Sequence, residues 1–288
     1  MEKIHSAIQK ARKERDAKLA SDVVDQPGKA AQASAAAPAE ASPQPDPAAE
    51  VAAAWAALPQ YKPDRSALQR NRIVAFESGT QSACFDVLRT NILRQMRANG
   101  WKRLAITSPT PGCGKTTTSL NLGFSLGRLH DLRTMIIEAD LRRPAMRSCL
   151  HLKPKHMFAE FLDGRARAQD NLIGFGGGLA FGCNHGPMRN SAELLSSQGI
   201  SEQLRELDRL YAPDITIFDM TPMLVSDDTI AFLPNVDCAL LIAAAGVTTT
   251  AQVDRCERAL AEQTNVLGVV LNKCQFMARD ENYGYDYY

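Results

Sequence analysis

Between Ser108 and Thr117 the chain reads Ser-Pro-Thr-Pro-Gly-Cys-Gly-Lys-Thr-Thr, which sets two glycines, a lysine and a hydroxyl in the order a phosphate cradle needs. Gly112 and Gly114 let backbone N–H groups turn inward around phosphate oxygens. A helix opening at that point adds partial positive charge, Lys115 reaches the terminal phosphates, and the Thr116 hydroxyl is placed for Mg²⁺. The strict GxxxxGK[ST] spacing is not met, because Pro109 stands where its first glycine would be. Two further sites of acid chemistry follow. Glu138-Ala139-Asp140-Leu141-Arg142-Arg143-Pro144 brings two acids and a basic pair to the end of one apolar run, and Asp219 ends another, Ile215-Thr216-Ile217-Phe218. Such carboxylates can hold a metal or accept a proton from a hydroxyl, and Arg142 can neutralise phosphate charge.

These residues need elements that bring them together. Short apolar runs at Leu104–Thr107, Met135–Glu138, Ile215–Asp219, Ala239–Ala244 and Val266–Leu271 alternate with amphipathic stretches, and Ser119 to Gly127 reads as a helix behind the glycine loop. The alternation predicts an α/β fold with a mostly parallel central sheet flanked by helices, whose ligands sit at the carboxyl ends of strands. Every chemistry-bearing segment falls at such an end.

The rest of the chain bounds the possibilities. With 288 residues and 45% hydrophobic composition it can bury one full-sized domain, and a net charge of +1 gives no general attraction to nucleic acid. Seven cysteines without a CxxC pair suggest neither a zinc ribbon nor a disulfide framework, and fit a reducing cytosol. The longest apolar run, Cys238 to Val247, is about half the roughly 20 residues a membrane-spanning helix needs. Residues 1–20 are expected as a basic amphipathic helix, 21–65 as an Ala/Pro-rich linker, 66–278 as the nucleotide-binding domain and 279–288 as a tyrosine-rich tail. Asp227 and Asp228 read equally as helix caps or metal contacts.

Taken together, Pro111–Thr117, Glu138–Pro144 and Asp219-Met220-Thr221-Pro222 resemble the Walker A, Walker A′ and Walker B segments of the bacterial tyrosine kinases of exopolysaccharide and capsule assembly, a branch of the MinD/ParA-type P-loop ATPases. Ser191–Ser197 and Asn265–Lys273 look like further family signatures, and Thr110 stands where MinD/ParA ATPases carry a signature lysine. The resemblance implies ATP and Mg²⁺ as cofactors. It implies nucleotide contacts from Pro111, Gly112, Cys113, Gly114, Lys115, Thr116 and Thr117, and metal contacts from Thr116, Asp140 and Asp219. Catalytic roles fall to Lys115, Glu138, Asp140, Arg142 and Asp219. Asn272 either reads the adenine edge, as its family position suggests, or merely caps a strand.

Four of the six tyrosines, Tyr283, Tyr285, Tyr287 and Tyr288, lie in the last six residues and look like the cluster these kinases phosphorylate on one another. The resemblance further implies self-association, a separate membrane activator of the polysaccharide co-polymerase type, and a cytoplasmic chain recruited to the inner membrane by that partner. Two departures bear on the chemistry. Glu138 replaces the family's aspartate, and in the family's ExxRxxR helix the first acid and first arginine correspond to Ala83 and Asp86, with Arg89 retained. A switch-type ATPase that regulates a partner without phosphorylating tyrosine is the alternative reading.

Overall fold

The computed structural model describes residues 46–154 and 156–274. The expected N-terminal helix and the tyrosine tail lie outside these residues. Seven strands form one sheet in the order β3-β4-β2-β5-β1-β6-β7. They are β1 (Arg103–Thr107), β2 (Thr134–Glu138), β3 (Leu172–Phe175), β4 (Leu179–Gly182), β5 (Ile215–Asp219), β6 (Cys238–Ala244) and β7 (Asn265–Asn272). All neighbours pair parallel except β3 and β4, an antiparallel hairpin.

Period-2 alternation divides the core between the two faces. Leu104, Ile106, Ile136 and Ile217 point into a cluster shared with Ile92, Met96, Leu120 and Phe124, from helices Ala83–Asn99 and Lys115–Gly127. Ala105, Met135, Ile137 and Phe218 point the other way, onto Leu204 and Leu207 of helix Gln198–Tyr211 and Cys256 and Leu260 of helix Thr250–Ala261. Helix Lys115–Gly127 lies so close to the sheet that a β-carbon on Gly123 would come within 1.9 Å of Ile136 Cδ1. From β1 the chain crosses to β2 on one side and later builds β6 and β7 on the other, so the carboxyl end of β1 is the switch point of the sheet.

The expected linker is corrected over residues 46–65. Pro47–Ala56 is a helix whose N-cap, Asp46, accepts a hydrogen bond from the Ala48 N–H, and Trp55 within it and Leu58 and Tyr61 behind it are buried. Trp55 Nε1 donates to the Tyr211 carbonyl (2.7 Å) and its ring meets that of Tyr211 edge-on. The strap then runs along the outer edge of β3: the Tyr61 N–H donates to Gly174 O (2.7 Å) and the Gly174 N–H to Pro59 O (2.8 Å). Alanine-rich composition hid this segment, because a few large side chains suffice to dock a short helix. No helix among the described residues is long and apolar enough to cross a membrane.

Candidate nucleotide and phosphoryl-transfer site

The loop after β1 bends where Gly112 and Gly114 take φ of +79° and +97°, values that side-chain-bearing residues rarely adopt. Lys115 and Thr116 open the following helix, whose unpaired first-turn N–H groups face the loop. The segment after β5 braces this loop: the Met223 and Leu224 N–H groups donate to the Ser108 and Pro109 carbonyls at 2.8 and 3.1 Å. Asn272, at the end of β7, donates from Nδ2 to the Cys113 carbonyl (2.9 Å) and accepts the Lys273 N–H (2.8 Å). The described contacts of Asn272 are therefore those of a buttress to the loop. A β-carbon on Gly114 would strike the amide of Asn272 at 2.2 Å, so the second glycine of the loop leaves no room for a side chain while that amide holds its place.

Lys115, Thr116, Asp140 and Arg142 line one cavity of about 380 Å³ with Pro111, Gly112 and Pro222. Asp219 lies beneath it, buried, accepting the Thr116 hydroxyl (2.6 Å) and the Ser119 hydroxyl (3.4 Å). Burial pushes its carboxyl up to about 6, against the pull of Lys115 and the Thr116 hydroxyl. Asp140 has Lys115 Nζ at 3.4 Å from Oδ2 and the Arg143 N–H at 3.1 Å from Oδ1, and burial raises it too. A larger cleft of about 460 Å³, lined by Met188, Asn190, Glu193 and Leu194, holds none of the phosphate-loop residues, so volume alone does not locate the chemistry.

These residues fit Mg²⁺. Two carboxylates strained by burial face one lysine, and the Thr116 hydroxyl beside Asp219 completes a hard oxygen donor set. Among the described residues no group of three or more His, Cys, Asp or Glu forms a cage. Mg²⁺ would be held here by oxygens of Thr116, Asp140 and Asp219, and would supply charge neutralisation for a bound nucleotide's phosphates.

Besides Gly114, Asp219 and Asn272, three further expected site residues stand apart from the cavity lining. Cys113 is buried, with its sulfur 3.6 Å from the Thr110 and Thr248 hydroxyls, so only its backbone faces the loop. Thr117 lies one residue beyond the cavity wall, its carbonyl accepting Asn121 Nδ2 at 2.8 Å. Glu138 requires a correction. Its Oε1 accepts the Ala145 and Met146 N–H groups (2.6 and 2.7 Å) and its Oε2 accepts the Asn184 N–H (2.7 Å), while the side chain is wholly buried. The extra methylene carries the carboxylate past the strand end to the start of helix Met146–Leu150, so it braces the loop that presents Asp140 and Arg142 instead of facing the cavity. Burial pushes it up to about 7 despite the three N–H donors.

One residue carries more than its sequence context showed. Asp228, fully buried at the start of helix Asp228–Phe232, accepts Arg142 Nε and Nη2, both at 2.9 Å, and the Ser191 hydroxyl at 2.8 Å. No local signal separates such an ion pair from a helix cap.

A parallel sheet with a glycine loop at its switch point and acids at two neighbouring strand ends defines a P-loop nucleotide-binding protein, and residues 104–282 match the CobQ/CobB/MinD/ParA nucleotide binding domain family, to which the chain belongs. Within that family it stands with the bacterial tyrosine kinases. It is 30% identical over 224 residues to the tyrosine-protein kinase YwqD of Bacillus subtilis, covering 76% of this chain and 92% of that one. It is 29% identical over 192 residues to the tyrosine-protein kinase CpsD of Streptococcus pneumoniae, covering 66% of this chain and 82% of that one. The solved kinase domain of Escherichia coli tyrosine kinase ETK superposes with a TM-score of 0.60 at 27% identity, over 72% of this chain and 81% of that one.

Proposed function

We propose that the chain is an ATP-dependent protein tyrosine autokinase that phosphorylates Tyr283, Tyr285, Tyr287 and Tyr288 on a second copy and thereby regulates exopolysaccharide synthesis or export. The observation that carries the reading is the convergence of Lys115, Thr116 and Asp140 on one cavity above buried Asp219. Its relatives are named tyrosine kinases.

In this reading the loop N–H groups and Lys115 hold the nucleotide's phosphates, while Thr116 and Asp219 hold Mg²⁺. The metal, when bound, neutralises charge on the β- and γ-phosphates. A tyrosine oxygen forms the new bond to the γ-phosphorus as the bond to the β–γ bridging oxygen breaks, and ADP leaves. With Glu138 turned into the protein, Asp140 is the acid at the cavity wall left to take the phenolic proton, which its raised proton affinity favours. Arg142 meets the charge on the transferring group. Catalysis is mainly alignment and electrostatics.

The chain works beside a membrane activator of the polysaccharide co-polymerase type that recruits it to the inner membrane. Phosphorylating all four tyrosines adds roughly −6 to −8 charges at about −1.5 to −2 each, enough to oppose assembly of copies. The test is phosphotyrosine mass spectrometry after incubation with Mg·ATP, with and without the activator's cytoplasmic segment, alongside Lys115→Met. Phosphate on the tail that vanishes in Lys115→Met is expected. An unmodified tail beside activator-stimulated ATP hydrolysis would overturn the kinase reading in favour of a switch ATPase.

A further inference from the structure

We propose that Asp228 is a positioning residue for phosphoryl transfer, holding Arg142 by one edge of its guanidinium so that the other edge serves the phosphates. This rests on the reading of Arg142 as the cation that meets phosphate charge. The bidentate pair uses Arg142 Nε and Nη2, and among the described residues Nη1 makes no hydrogen bond. Arg142 lines the nucleotide cavity, while its partner carboxylate is fully buried. A carboxylate is costly to bury unless fully satisfied. Asp228 meets that condition with two arginine donors and the Ser191 hydroxyl, so the cost is spent on fixing one side chain at the cavity rim.

The anchor itself is fixed to the metal side of the site. The Thr229 hydroxyl, one residue on, donates to the Thr221 carbonyl (2.7 Å), which also accepts the Thr107 hydroxyl at the end of β1 (2.7 Å). Through Ser191 it is tied as well to helix Ser191–Leu195. Asp228 thus joins the loops that follow β1, β2 and β5 to the segment after β4, and of the charged members it is Arg142 that lines the cavity, beside Thr221. A planar guanidinium gripped along one edge is pre-oriented, and less freedom is lost when it meets a phosphate.

Autophosphorylation kcat and nucleotide affinity, the latter from a fluorescent ATP analogue, separate this role from a merely structural one. Asp228→Asn keeps the shape and removes the charge. It is expected to lower kcat on the order of tenfold or more while affinity changes less than about threefold. Arg142→Lys, which cannot make the bidentate pair, is expected to lose as much, and the double variant no more than Arg142→Lys alone. Multiplicative losses in the double variant, or an Asp228→Asn protein that loses only thermal stability, would overturn the proposal. Should Asp228→Asn not fold, Ser191→Ala, which removes one bond to the same carboxylate, is expected to lower kcat in the wild-type background and not in Arg142→Lys. An Arg142→Lys enzyme with unchanged kcat would sink the reading of Arg142 itself, whatever Asp228 does.

Discussion

At the scale of single residues, the instructive case is Glu138, a carboxylate whose sequence position implies chemistry and whose contacts are structural. Glu138→Ala would orphan the buried Met146 and Asn184 N–H groups and the part-buried Ala145 N–H, and a loss of about 2–6 kcal/mol in chemical denaturation is expected, since each unmet buried donor costs roughly 1–3 kcal/mol. The same residue sets a pH dependence. Its proton is held more tightly in the folded protein, at about 7 against an ordinary 4.5, and Asp219 is shifted in the same direction, to about 6. Between the unfolded and folded values the folded state binds more protons, so their contribution to stability is present at low pH and lost as pH rises through about 7. The nucleotide-free protein should melt at a lower temperature at pH 8 than at pH 5, and Glu138→Gln should flatten that slope while lowering the curve. A melting temperature that rises over this interval would contradict the assignment. The acids at strand ends were legible in the sequence because an apolar run stopping at a carboxylate is a local pattern. Which way Glu138 turns depends on Ala145, Met146 and Asn184, and no spacing rule brings those three to one carboxylate.

At the scale of elements, the five strands that end in chemistry were legible to within a residue or two at each end, since each is a short apolar run closed by polar residues. The β3–β4 hairpin was not. Gly174, Gly176, Gly177 and Gly178 make that stretch read as loop, and it becomes strand only because Thr134 to Ile137 offer β4 an edge to pair with. Helix Ala83–Asn99 shows a second limit. Asp86 and Arg89, which occupy positions of the family's assembly helix, are engaged within the chain: Asp86 accepts the Ser125 hydroxyl and Arg128, and Arg89 donates to the Ser125 carbonyl at 2.9 Å. They fasten this helix to the phosphate-loop helix. Asp86→Ala should therefore cost about 1–3 kcal/mol by leaving Arg128 half-buried without its carboxylate, whatever the state of assembly. An Asp86→Ala protein of unchanged stability but altered mass by light scattering would place the residue in an interface instead.

At the scale of the whole molecule, the strap from Asp46 to Tyr61 is continuous with the nucleotide site through few steps. The Tyr61 hydroxyl donates to the Leu150 carbonyl (2.7 Å), closing the far end of helix Met146–Leu150, whose near end is held by Glu138. A chain truncated through Tyr61 should be less stable by several kcal/mol than one truncated through residue 45, at about 1.5–3 kcal/mol for each large side chain re-exposed on the domain. Equal melting temperatures for the two truncations would show the strap to be dispensable. Proline-rich composition ahead of it made the boundary illegible, because no periodicity marks a ten-residue helix that docks chiefly through Trp55. That same residue gives the protein a built-in optical gauge. The chain has two tryptophans, Trp55 buried against Tyr211 and Trp101 partly exposed at the start of the sheet. In a Trp101→Phe protein all tryptophan emission originates in the strap itself, from its buried Trp55, so any event that lifts the strap registers as a red shift in an unlabelled sample.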